Sequence, residues 1–270
     1  MRVAAIQMNS GKDVAANLEL ADKLLGDAAG DGSTLAVLPE NFALMPERGR
    51  DKAKAAERPG EGPIQAFLSG ASQRYGLWLV AGSMPLVSPE IDAERVYGAC
   101  PVYDSDGDAQ AIYNKIHLFD VDLVDEQESY RESRSMYPGD DVVTVDTPCG
   151  RVGLTICYDL RFPELFSQLV DAGATVFTVP AAFTATTGEA HWHTLLRSRA
   201  IENLAYVIAP GQYGEHPDRR STYGHSLIID PWGRVLAEAA DGNGFIAADL
   251  DPLLPEKMRG EFPALANRRL

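Results

Sequence analysis

The sequence is short of cysteine. Three among 270 residues, Cys100, Cys149 and Cys157, are odd in number and lack metal-ligand spacing, so no disulfide framework and no metal site is expected. Free thiols imply a reducing, cytoplasmic setting. There is also no positive excess. Twenty-four basic residues stand against 39 acidic ones, a net charge of −15, which argues against nucleic-acid and anionic-membrane partners. No apolar run is long enough to span a bilayer. Met1-Arg-Val-Ala-Ala-Ile-Gln7 enters a strand pattern directly, without a signal-peptide apolar region. No Gly-x-Gly-x-x-Gly follows that strand, which disfavours a dinucleotide-binding domain, and no cofactor is expected. Linkers, low-complexity segments and short-period repeats are missing too. The chain therefore reads as a single α/β domain over 1–270, with its core in about 1–250 and a terminal segment over 251–270.

What is present is an alternation of strands and helices. Val3–Met8 is a strand; Val14, Leu18, Ala21 and Leu25 lie on one helical face. Leu35–Leu38 is a buried strand by its uninterrupted apolar run. Arg48–Gly60 is charged and reads as a surface loop or short helix. A helix through Ile64, Phe67, Leu68, Ala71 and Tyr75 follows, then a strand over Leu77–Met84. Tyr97–Tyr103 and Ala109–Asn114 form a hairpin around Asp104-Ser-Asp-Gly107. Ile116–Asp141 is long, polar and nearly aperiodic, as functional loops are. A hairpin around Pro148-Cys-Gly150 leads into the Arg151 strand. Thr175–Val179 is a strand, 181–188 a small-residue loop, His191–Asn203 a helix and Tyr206–Ala209 a strand. Late strands cover Leu227–Asp230, Val235–Ala237 and Phe245–Asp249, and the chain ends in a helix and a basic tail.

The chemistry concentrates at strand ends. Arg151-Val-Gly-Leu-Thr-Ile-Cys157 is a buried strand, and Asp159, Pro163, Leu165, Phe166, Leu169 and Val170 then read as the start and face of a helix. Cys157 sits at the sharp junction, where a turn exposes a nucleophile and the next backbone N–H groups face whatever it attacks. The helix N-terminus is expected to favour the thiolate. Glu40 closes the Leu35 strand, where α/β folds place site carboxylates. Lys115 closes the Ala109 strand; taken alone it reads as a solvated surface charge.

Together, Leu-Pro-Glu40-Asn-Phe, Tyr-Asn-Lys115-Ile-His-Leu-Phe and Gly-Leu-Thr-Ile-Cys157-Tyr-Asp-Leu-Arg-Phe-Pro-Glu resemble the nitrilase superfamily of carbon–nitrogen hydrolases. The resemblance runs from Val3 to about Asp249. Its second glutamate matches Glu132, in Glu132-Ser-Arg-Ser-Met-Tyr-Pro-Gly-Asp. Lys115-Ile-His-Leu-Phe-Asp-Val, Gly188-Glu-Ala-His-Trp192, Arg197-Ser-Arg-Ala-Ile-Glu-Asn203 and Ser221-Thr-Tyr-Gly-His-Ser226 are most similar to the Nit branch. Members of that branch act on deaminated glutathione or on the ω-amide of 2-oxoglutaramate. The Gly-His-Ser and His216-Pro-Asp-Arg-Arg220 segments look more like the former.

The resemblance implies a four-layer αββα sandwich, a homodimer or higher homo-oligomer with the C-terminal segment reaching a partner subunit, and hydrolysis of a small amide through a Cys thioester with release of ammonia. Cys157 would attack, Glu40 would carry the proton, and Lys115 with the Tyr158 backbone N–H would stabilise the oxyanion. Glu132 would position Lys115. His117 and His191 are expected to be structural. A carboxylate-bearing substrate calls for an arginine, and Arg161 is the candidate, at the position that binds the substrate carboxylate in carbamoylase relatives. Phe183 and Thr184 are expected to line the pocket, with Tyr158. The alternatives are a nitrilase, aliphatic amidase or N-carbamoyl amino-acid hydrolase on the same triad, and a non-catalytic binding or scaffold subunit.

Overall fold

The computed structural model describes residues 1–47, 49–87, 95–123, 128–217 and 220–269. Arg48, residues 124–127 of the long polar stretch, Asp218 and Arg219 of the His216–Arg220 segment, and Leu270 lie outside the described residues.

In chain order the first half contains β1 (Arg2–Gln7), α1 (Val14–Gly30), β2 (Leu35–Val37), α2 (Gly49–Ala55), α3 (Pro63–Tyr75), β3 (Trp78–Val80), β4 (Met84–Leu86), β5 (Tyr97–Tyr103), β6 (Ala109–Asn114), β7 (Asp120–Leu123) and β8 (Glu128–Arg131). The second half contains β9 (Thr144–Thr147), β10 (Gly150–Leu154), α4 (Pro163–Asp171), β11 (Val176–Thr178), α5 (Ala185–Asn203), β12 (Tyr206–Ala209), β13 (Tyr213–Glu215), β14 (Ser221–Tyr223), β15 (Leu227–Ile229), β16 (Val235–Glu238), β17 (Gly244–Asp249) and α6 (Leu254–Glu261).

Two sheets repeat one plan. In the first, parallel β1, β2 and β3 are flanked by antiparallel β17 on one side and by β5, β4 and β6 on the other. In the second, parallel β10, β11 and β12 are flanked by antiparallel β9 and β15, with β16 outermost. Side-chain alternation sorts each buried strand between two layers. Val3, Ala5, Leu35 and Val37 join the core shared with the second sheet, whereas Ala4, Ile6, Ala36 and Leu38 pack with Leu25, Leu68 and Ala71 of α1 and α3. Leu165, Phe166 and Leu169 of α4 and Trp192, Leu196 and Ala200 of α5 cover the second sheet. The result is the αββα sandwich.

Three local expectations change, and one hairpin is added. The predicted Leu77–Met84 strand is split into β3 and β4 at Ala81–Ser83. Gly82 has φ +63, and a Cβ there would stand 2.1 Å from the Pro39 carbonyl oxygen, so the chain turns to pass Pro39. The second half of the predicted small-residue loop, 185–188, is the first turn of α5, which starts at Ala185 rather than His191; the Thr184 hydroxyl caps it, accepting from the Thr187 N–H. The long polar stretch contains the β7–β8 hairpin. The β13–β14 hairpin carries too little alternation to be read from sequence.

Candidate active site

Three loops converge on one cavity of about 540 Å³. Glu40 follows β2 on a turn braced by Asn41 at φ +57, whose N–H donates to Ser83 Oγ at 2.9 Å. Lys115 follows β6, its N–H bonded to the Gly98 carbonyl and its own carbonyl to the Gly139 N–H. Cys157 follows β10 and opens a single 3₁₀ turn, Cys157–Arg161, with φ +48. A cysteine in left-handed backbone is strained, and such strain persists only where the surroundings over-determine it. Here they do: the Cys157 N–H donates to the Pro180 carbonyl at 2.9 Å.

Asp159 fixes the turn. It is fully buried and accepts from the Ile156 N–H, the Tyr113 hydroxyl and the His117 N–H, with His117 Nδ1 at 2.7 Å. One carboxylate thus ties the nucleophile's turn, in the second sheet, to both sides of Lys115, in the first. The His117 ring stacks on Phe162 with centroids 3.7 Å apart. From the other side, Arg199 donates twice to the Leu160 carbonyl, at 3.0 and 2.8 Å.

The four predicted catalytic residues meet. Lys115 Nζ lies 2.8 Å from Glu40 Oε1 and 2.8 and 3.1 Å from the two Glu132 oxygens, with 2 % of its side chain exposed. Burial alone would discharge this ammonium, but Glu132 and Glu40 raise its pKa well above the lysine range. Burial also opposes the Glu132 carboxylate, yet Lys115 and then Lys52 bring its pKa below the ordinary value. The Phe119 N–H holds its second oxygen at 2.8 Å. Glu40 Oε2 accepts from the Ala182 N–H at 2.8 Å, so this carboxylate is oriented by one bond from each sheet's loops.

Cys157 departs from the thiolate expectation. Burial first, then the Glu40 carboxylate, push its thiol well above the usual value, and Lys115 only partly opposes them. A 3₁₀ turn of five residues supplies little of the dipole that a full helix would. Burial and the neighbouring Glu40 carboxylate thus favour the thiol form of Cys157 over the thiolate.

All four predicted substrate-contacting residues line the cavity. Tyr158 meets Phe119 edge-on at 5.0 Å. Phe183 packs on Trp192, and Arg161 lies 5.1 Å over the Phe183 ring with His191 Nδ1 at 3.3 Å. Thr184 is occupied by its cap and by Thr187 Oγ1 at 2.6 Å. Sequence reading misses Asp159, Lys52 and Arg220. Asp159 stands inside the Cys157 motif and reads as a helix start. Lys52 and Arg220 belong to charged segments that resemble solvated surface, and only the tertiary fold turns them inward. Outside the cavity, His193, His225 and Glu238 bring three possible ligand atoms within 4.8 Å, both imidazoles on one carboxylate oxygen.

A buried thiol near a carboxylate, beside a lysine held between two carboxylates, is an arrangement suited to acyl transfer, here in an αββα sandwich, and residues 2–258 match the carbon–nitrogen hydrolase family, to which this chain belongs. It is a carbon–nitrogen hydrolase acting on amides. The deaminated glutathione amidase of Yersinia enterocolitica is 39 % identical over 99 % of this chain and 92 % of its own length. That of Synechocystis sp. is 40 % identical over 98 % of this chain and 97 % of its own. Among solved structures, the C. elegans NitFhit protein superposes with a TM-score of 0.91 at 35 % identity over 99 % of this chain. This chain spans 65 % of that longer one. Saccharomyces cerevisiae Nit3 superposes with a TM-score of 0.88 at 33 % identity over 100 % of this chain and 97 % of its own.

Proposed function

We propose that this enzyme hydrolyses deaminated glutathione, and that Cys157, Glu40, Lys115 and Glu132 carry the reaction. The observation that carries the substrate reading is the 39–40 % identity, over nearly the whole chain, to relatives named for that activity.

The steps follow from the resting geometry. Glu40 takes the Cys157 proton as sulfur attacks the amide carbonyl, so the thiolate exists only during attack. The oxyanion forms beside Lys115 Nζ and the Tyr158 N–H; Lys115 can release one carboxylate contact because two remain. Glu40 returns the proton to the departing nitrogen, the C–N bond breaks and a thioester remains. Water, deprotonated by Glu40, then cleaves the thioester and restores the thiol. A primary amide such as 2-oxoglutaramate releases ammonia; deaminated glutathione releases its cysteinylglycine portion, and both leave 2-oxoglutarate. Glu132 holds Lys115 charged and in place. Arg161, Tyr158, Phe183 and Thr184 contact the substrate.

The working form is a cytoplasmic homodimer, each chain a single domain over 1–270 with its C-terminal segment at the interface. Exposed Trp232 and Phe262, with ring centroids 6.1 Å apart, and exposed Ile201 form an apolar patch that a second copy would cover. Three free cysteines suit a reducing compartment.

The test is 2-oxoglutarate release from deaminated glutathione and from 2-oxoglutaramate, with wild type and Cys157→Ala. Cys157-dependent turnover favouring the first is expected. Preference for the second would assign an ω-amidase, and normal turnover by Cys157→Ala would remove the nucleophile.

A further inference from the structure

Lys52 is a second buried lysine in the same cavity. It projects from α2, is 7 % exposed, and among the described residues its one hydrogen bond is to the Met136 thioether sulfur at 3.7 Å. Among the described residues no carboxylate lies within ion-pair distance of it. A buried cation without an anion is costly, and a methylene chain would fill the space at lower cost. Arg161, by contrast, is stacked over Phe183 and close to His191, on the Tyr158–Phe183 wall.

The balance of charge at the reacting centre points the same way. Glu40 and Glu132 against Lys115 leave one excess negative charge beside Cys157, which repels an incoming carboxylate. Lys52 opposes that repulsion, and Arg220 lies near enough to add to its positive field.

We propose that Lys52, on the Glu132–Met136 wall, is the anchor of an anion subsite that takes a carboxylate of the amide substrate. This rests on the proposed function only in expecting a carboxylate on the substrate. Binding completes the missing ion pair. No bond of Lys52 must be broken beyond a weak contact to sulfur, whereas every donor of Lys115 is already engaged. The carboxylate belongs either to the acyl chain or to the leaving amine, and the two are separable by experiment.

The experiment follows alkylation of Cys157 by iodoacetamide, read from the intact mass of the full chain, in wild type, Lys52→Met and Lys52→Arg. Glutarate mimics the acyl product, S-methylcysteinylglycine the leaving amine, and glutaramide is the neutral control. Protection of wild type by glutarate places the acyl carboxylate on Lys52; protection by the dipeptide places the other. In Lys52→Met the half-protecting concentration of that anion should rise about tenfold or more, and in Lys52→Arg by less than about threefold. With hydrolysed substrate, KM should rise by about the same factor while kcat falls less than about threefold. No anion protection of wild type, or equal protection of Lys52→Met, overturns the subsite. So does a changed pH profile of unliganded alkylation in Lys52→Met, which would mean that Lys52 acts through Glu132. Alkylation needs no turnover. A protein that leaves deaminated glutathione intact but shows Lys52-dependent protection therefore loses the proposed substrate and keeps the subsite.

Discussion

Lys115 and Lys52 are buried lysines in one cavity, held in opposite ways. Lys115 is gripped by three carboxylate oxygens from two loops, and its charge is raised in stability well beyond that of a free lysine. Lys52 touches a thioether, and burial lowers its pKa even with Glu132 and Glu40 pulling the other way. The first arrangement suits a group that must remain charged through every step. The second leaves a charge to be completed by what binds.

The comparison breaks most visibly at Lys115. Lys115→Ala should lower kcat by roughly 10²–10³-fold, the usual cost of one oxyanion donor. Single-turnover measurement should place that loss in thioester formation; thioester formation at the wild-type rate would remove the oxyanion role. The same variant removes the cation that bridges Glu40 and Glu132, so its thermal unfolding midpoint should fall as well.

A smaller effect sharpens the contrast between resting and reacting states. Because burial and Glu40 raise the Cys157 thiol above its ordinary value of 9.0, the thiolate fraction should keep climbing past that pH. Alkylation of unliganded enzyme should gain about tenfold per pH unit across that range. A plateau near neutrality would show a preformed thiolate. The sign for stability follows: a thiol pKa raised by folding means that stability is lost as pH climbs above 9.0 toward the folded value. The smallest expected change lies at the cavity's edge, where Thr184→Ala removes the α5 cap. It should cost about 1 kcal/mol in denaturant unfolding, with kcat little altered. Because Thr184 is also proposed to contact the substrate, KM should rise by less than about threefold, and an unchanged KM would leave Thr184 with its capping role alone.

These residues also show what a linear reading can reach. Glu40, Lys115 and Cys157 each follow a strongly patterned strand, so local pattern alone puts all three at strand ends. Glu132 is legible only through resemblance, because its loop has no period. The break at Gly82 is hidden, since it answers to the Pro39 carbonyl, a neighbour 43 positions away in sequence. Lys52 is hidden for the opposite reason: a lysine among Asp51, Lys54 and Glu57 carries every mark of solvent, and only tertiary packing puts it at 7 % exposure. The thiolate expectation considers only the strand-to-helix junction, whereas burial and then the Glu40 carboxylate, both set by tertiary packing, push the Cys157 thiol upward, and the junction itself is a five-residue 3₁₀ turn.

The Asp159 carboxylate has a consequence for how the chain acquires activity. Glu40 and Lys115 come from the first sheet and the nucleophile from the second, and Asp159 joins them through Tyr113 and His117. A growing chain that ends before residue 157 carries a base and an ammonium but nothing to attack with. A chain whose sheets have formed without docking has a cysteine with no base beside it. With the roles proposed above, hydrolysis would begin only once the two sheets have docked, and turnover would then report on that step.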